Sequence, residues 1–176
     1  MRMRLQIGFL LAIAACLSLT AAETKHEFAI YLTAEPVDRR ITAYGTGDWS
    51  HVKLDTSPVI SATDIVWYAW SGHSIRLRPE ALKRIPRPPV EGRPFVVVAD
   101  GQRIYLGAFT TSLSSFSIAV PSITVDRRSI FTNQPADVLI IERGYPGDSF
   151  GRGPDPRPDS RIKDALSALG KLESKE

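Results

Sequence analysis

Hydrolysis by a side-chain nucleophile needs a serine, an imidazole and an orienting acid in one place. The histidines of this chain are His26, His51 and His73. A hydrolase centred on His73 would use that imidazole as base and Asp64 or Asp100 as orienter. Its nucleophile would be Ser71, Ser114 or Ser115. No motif fixes these groups together: Asp100 is explained by a turn, and Ser114–Ser115 by a loop cap. No histidine pair has metal-ligand spacing, and the only cysteine, Cys16, gives no second thiol. A Gly-x-Ser-x-Gly elbow, a phosphate loop and a dinucleotide glycine motif are all missing from the sequence. No catalytic, cofactor-binding or metal-binding residue is therefore assigned, no cofactor is expected, and the chain reads as non-enzymatic.

The aromatic residues offer recognition instead of catalysis. Trp67 and Phe109 fit ordinary sheet packing. Tyr68, Trp70 and Tyr105 form a candidate binding surface, because tyrosine and tryptophan concentrate where proteins meet. On a regular strand Tyr68 faces away from Trp67 and shares its side with Trp70, and Tyr105 faces away from Ile104 and Leu106.

The other chemistry in the sequence is that of an address. Arg2 and Arg4 precede an apolar run from Ile7 to Ala15, and small residues follow, which is the layout of a secretory signal over residues 1–22. Two processing routes stay open. Cleavage after Ala22 releases a chain starting at Glu23. Alternatively, Ile13-Ala14-Ala15-Cys16 resembles the lipobox of bacterial lipoproteins, with Cys16 as the lipidation candidate. The expected location is accordingly periplasmic or secreted, or lipid-anchored to an envelope membrane, with Cys16 the only membrane contact. Beyond residue 22 the chain has 20 basic and 19 acidic residues, with Arg39-Arg40 and Arg127-Arg128 as isolated basic pairs. A nucleic-acid partner would need a dense basic face, so none is expected.

These groups must be held by a core without disulfides. Phe28–Leu32 reads as a strand closed by Pro36. His51–Leu54 alternates weakly, like an exposed strand. Ser61 with Asp64 reads as a locally capped helical turn. Val66–Trp70 is strand-like, and His73–Arg78 alternates with Ile75 and Leu77 on one face. Pro79 opens a short helix through Ile85. Phe95–Ala99 and Arg103–Phe109 flank Asp100-Gly101, a hairpin turn signal. Phe116–Val125 contains Pro121 and reads as an edge or bulged strand. Asp137–Ile141 is a last core strand. The organisation expected is one domain over residues 23–145, a Pro/Gly-rich linker over 146–159 with no core to bury, and an amphipathic tail helix over 160–173.

Three of these segments resemble a known family. Pro58–Ile65 is the first, with Ile75, Leu77, Glu80, Ala81 and Arg84 as the second. Val97, Val98, Asp100, Gly101 and Ile104 are the third. In this order they look like the head (P1 head) of the first periplasmic domain of SecD, the membrane subunit of bacterial protein export. The resemblance implies an α+β fold, with a mainly antiparallel, ferredoxin-like sheet and short helices on one face. It also implies protein or peptide partners in the cell envelope. The membrane spans of SecD are not repeated after residue 22, so the expectation is a stand-alone relative, either a binding module or a structural subunit of a larger envelope complex.

Overall fold

The computed structural model describes residues 25–126 and 135–173. The expected leader, Cys16 and the Arg127-Arg128 pair lie outside the described residues. The chain forms an α+β fold around an eight-stranded, mainly antiparallel sheet with a few short helices.

The β5–β6 hairpin is its spine. β5 (Arg93–Ala99) and β6 (Gln102–Thr110) are joined by Asp100 and Gly101, with φ of 46° and 73°. Two successive positive φ values match the right-handed twist of the flanking strands, which is why Asp-Gly sits there. β1 (Phe28–Leu32) pairs antiparallel with β5, and the two-residue β2 (Ile60–Ser61) pairs with β1. On the other side of β6 come β7 (Ser122–Thr124), β8 (Val138–Glu142), β4 (Ser74–Leu77) and β3 (Ile65–Ala69), giving the order β2-β1-β5-β6-β7-β8-β4-β3. Among the strand pairs of the described residues, only β6–β7 is parallel.

The first and last strands of that order are consecutive in the chain, joined by the single turn Ala62–Asp64. Eight strands spaced about 4.8 Å apart span roughly 34 Å when flat. Four chain steps reach only about 14 Å. The sheet must therefore curl until its ends approach each other. The corner is stabilised as its sequence suggests: Asp64 accepts hydrogen bonds from the Ser61 N–H and hydroxyl, each at 2.8 Å, in a capping box.

Curling creates an inside. Phe28, Ile30, Ile65, Tyr68, Ile75, Leu77, Phe95, Val97 and Phe109 meet there. The amphipathic helix α3 (Ser160–Ala168), capped by Asp159, adds Ile162, Ala165 and Leu166 to the same interior. The helix α2 (Pro79–Arg84), opened by Pro79, adds Ala81. The other face of β5 and β6, carrying Val96, Val98 and Leu106, is covered by Ile41 of the helix α1 (Arg39–Tyr44). The helices therefore occupy both faces of the sheet, not one.

Several expectations change. The segment Phe116–Val125 shrinks to β7, which is paired on both sides and wholly buried rather than an edge; Pro121 stops just short of it. His51–Leu54 forms no strand, and only Leu54 makes a bridge, to Thr33. Residues 146–159 do have something to bury: Arg157 sits inside, and Gly144 and Gly151 allow backbone approaches that a Cβ would block.

Candidate functional site

Tyr68 and Tyr105 are interior residues, 1 % and 4 % exposed, so neither belongs to a solvent-facing surface. A bulge accounts for Tyr68, whereas Tyr105 shares the regular alternation of Phe109 on the interior face, where a second bulge lets Ile104 join it. Ile65 and Tyr68 are three apart and would face opposite ways on a regular strand, but the β3–β4 register slips between Ile65 and Trp67. The β5–β6 register slips between Val97 and Val98, so Ile104 and Tyr105 both enter the interior. One extra residue per bulge resets the alternation, and the pattern of side-chain types does not reveal it. Trp70, at the end of β3, is half-buried against the same core.

The polar groups collect beneath the β3–β4 turn. Tyr68 Oη lies 3.1 Å from His73 Nδ1. The rings of Tyr68, Trp70 and His73 pack mutually at centroid distances of 5.8–6.4 Å. His73 takes a φ of 45°, which closes the turn. Its carbonyl accepts from the Ile141 N–H at 2.9 Å, and the Ile141 carbonyl in turn accepts from Arg157 Nη1 at 2.8 Å.

Arg157, its side chain 9 % exposed, is gripped by two carboxylates. Asp155 accepts from Nε at 2.9 Å and from Nη2 at 2.7 Å, and Asp148 accepts from Nη1 at 3.2 Å. Asp148 also ties the Arg143 N–H at 2.6 Å. Burial works to raise the Asp155 pKa, but its hydrogen bonds to Arg157 outweigh this and hold it below the usual carboxylate range. Burial pushes the Tyr68 and Tyr105 phenols upward. Burial, joined by the Arg157 charge, pushes His73 below an ordinary imidazole. The cluster thus presents a neutral imidazole on a protonated phenol. Its guanidinium is already committed to Asp155, Asp148 and a main-chain carbonyl.

His73 Nδ1 meets Tyr68 Oη, and three other candidates for a His73-centred site have partners of their own. Asp64 bonds Ser61 and pairs with Arg84 at 2.6 Å. Asp100 pairs with His26 at 3.1 Å and accepts from the Glu27 N–H at 2.8 Å. Ser114 Oγ accepts from the Thr111 N–H at 3.2 Å. Among the described residues no three His, Cys, Asp or Glu side chains are placed to hold a metal ion.

Sequence reasoning passed over Arg157, Asp155 and Asp148 because prolines and glycines surround them. A signal was present in the spacing. Asp38–Arg40, Asp155–Arg157 and Asp159–Arg161 each place an aspartate two residues before an arginine. In each, the aspartate accepts from both the arginine's main-chain N–H and its guanidinium.

On the outer side of the same strand lies an edge. Tyr68 sends its side chain inward and turns its main-chain N–H and C=O away from β4. Its N–H donates to the Lys171 carbonyl at 2.7 Å, and its carbonyl accepts from the Glu173 N–H at 2.9 Å. The segment after α3 is thereby added in parallel to β3. Lys171 Nζ donates to the Ile65 carbonyl at 2.9 Å, and Leu172 packs on the interior core alongside Trp70 and Leu169. Val66, on the same strand, is 44 % exposed.

No protein-family model, curated protein or solved structure matches this chain.

Proposed function

We propose that this chain is a non-enzymatic, exported envelope module that binds extended protein or peptide segments by adding them as a strand beside β3. The observation that carries this reading is the pairing of Tyr68 with Lys171 and Glu173: the β3 edge accepts an extended backbone, and a short one suffices. Main-chain groups supply the attachment at such an edge, and side-chain sites beside it supply selectivity. Leu172 and Lys171 mark two such sites here.

The likeness to the SecD P1 head agrees with a polypeptide partner. Its three segments fall, in chain order, on β2 with its capped corner, on β4 with α2, and on the β5–β6 hairpin, with β3 between the first two. The ferredoxin-like description belongs to the same proposal. The signal layout supplies the envelope location, whether the mature chain starts at Glu23 or is anchored as a structural subunit through a lipidated Cys16. No helix among the described residues is long and apolar enough to cross a membrane.

The test places a photo-crosslinking residue at Val66 in the full chain and irradiates the envelope fraction. A discrete crosslinked partner absent from the same label at Tyr44, on the far helix, is the expected result. Identical products from both positions, or none from Val66, would sink the reading.

A further inference from the structure

The β3 edge is already occupied by residues 171–173 of the same chain. Besides the Tyr68 N–H on the Lys171 carbonyl at 2.7 Å, three contacts define the pairing. The Lys171 ammonium reaches the Ile65 carbonyl at 2.9 Å. The Leu172 side chain is partly buried against the interior core. The Glu173 position contributes a main-chain N–H to the Tyr68 carbonyl at 2.9 Å. Among the described residues, Tyr68 is the β3 residue that exchanges main-chain bonds with the tail. The contact is held by a turn at Gly170, whose φ of 63° redirects the chain after α3.

We infer that Lys171–Glu173 is an intramolecular stand-in for the partner, which presents an extended basic–aliphatic pair followed by any residue other than proline. This rests on the strand-addition reading. Proline is excluded at the third position because it has no N–H for the Tyr68 carbonyl. A tethered segment competes at high effective concentration, so the tail sets the threshold that a partner must exceed.

The probe is a fluorescein-labelled peptide, Gly-Lys-Leu-Glu-Ser-Lys-Glu, titrated by anisotropy into the full chain and into its Leu172→Asp variant. Leu172→Ser replaces that variant if near-ultraviolet circular dichroism shows loss of the fold. Exchange of the Tyr68 amide is measured in parallel. The expected results are exchange at least tenfold faster in the variant and peptide binding at least tenfold tighter to it. A peptide with proline at its fourth residue, in place of glutamate, should bind at least tenfold more weakly. Equal binding to both proteins overturns the inference, as does no binding to a variant whose Tyr68 amide has been freed. A concentration-dependent dimer of the unaltered chain would assign the edge to a second copy's tail and overturn it as well. A Val66 crosslink to a partner without peptide binding removes this inference alone; loss of both removes the strand-addition reading too.

Discussion

The rings of Phe28 and Tyr68 meet edge-on, 6.4 Å between centroids, although their strands stand second and eighth in the sheet order. That contact spans the seam of the curled sheet. It places the Tyr68 phenol against the interior core while the Tyr68 backbone remains at the edge. One residue thus joins the inner polar cluster to the outer edge of β3.

Arg157 fastens residues 146–159 to β8. Replacing it with methionine leaves Asp155 without its cation and the Ile141 carbonyl without its donor. Breaking a buried pair costs about 3–5 kcal/mol, less where the carboxylates reach water. Asp148 and Asp155 are partly exposed, so a loss of about 2–3 kcal/mol is expected, seen as a lower urea midpoint with an unchanged slope. An unchanged midpoint would make the clamp ornamental.

Leu166 is fully buried in the interior. Leu166→Ala should cost about 2–5 kcal/mol in the same unfolding assay. A tail helix held only by a flexible linker would lose almost nothing.

Gly107 lies under the Phe95 ring, and a Cβ there would come within 2.6 Å of the Pro121 carbonyl. That carbonyl accepts from the Ala108 N–H at 2.9 Å, part of the parallel β6–β7 junction. Gly107→Ala should destabilise by about 1–3 kcal/mol through overpacking. Calorimetry showing no fall in the melting temperature would refute the close approach.

Acid should weaken the fold in two stages. Unfolded His73 takes up a proton near pH 6.5, whereas burial and Arg157 lower that value in the folded chain. Below about pH 6.5 the unfolded chain therefore binds more protons, so stability is full above this pH and declines beneath it. Asp64 follows at lower pH. Burial works to raise its pKa, but hydrogen bonds from Arg84 and Ser61 prevail and leave it depressed. Its contribution is present above about pH 4 and disappears as pH falls through the folded value. Urea midpoints measured from about pH 8 to pH 3 should show both stages, and His73→Asn should flatten only the upper one, since asparagine tolerates a positive φ.

Local signals in this sequence translated well. The Asp100-Gly101 turn, the Ser61–Asp64 cap, Pro79 at a helix start and the Ile75/Leu77 alternation all appear in the structure, because each depends on residues a few positions apart. What depends on distant partners did not translate. Ser122–Thr124 gains two neighbours only when the sheet closes, so Pro121 looked like an edge marker. Ile104 joins Tyr105 in the interior, and Tyr68 joins Ile65, through bulges that local alternation cannot encode. Arg157 is buried because β8 and two aspartates surround it, while its own neighbours Pro156 and Pro158 resemble a linker.

The late position of α3 governs when this protein can become folded. The inner faces of β1 and β5 are sealed by Ile162, Ala165 and Leu166, more than sixty residues after β5 ends. A nascent chain that has not yet released those residues leaves Phe28, Ile30 and Phe95 uncovered, and long-range closure of this kind is slow. The unfinished polypeptide consequently keeps that apolar surface exposed until synthesis has passed Leu166.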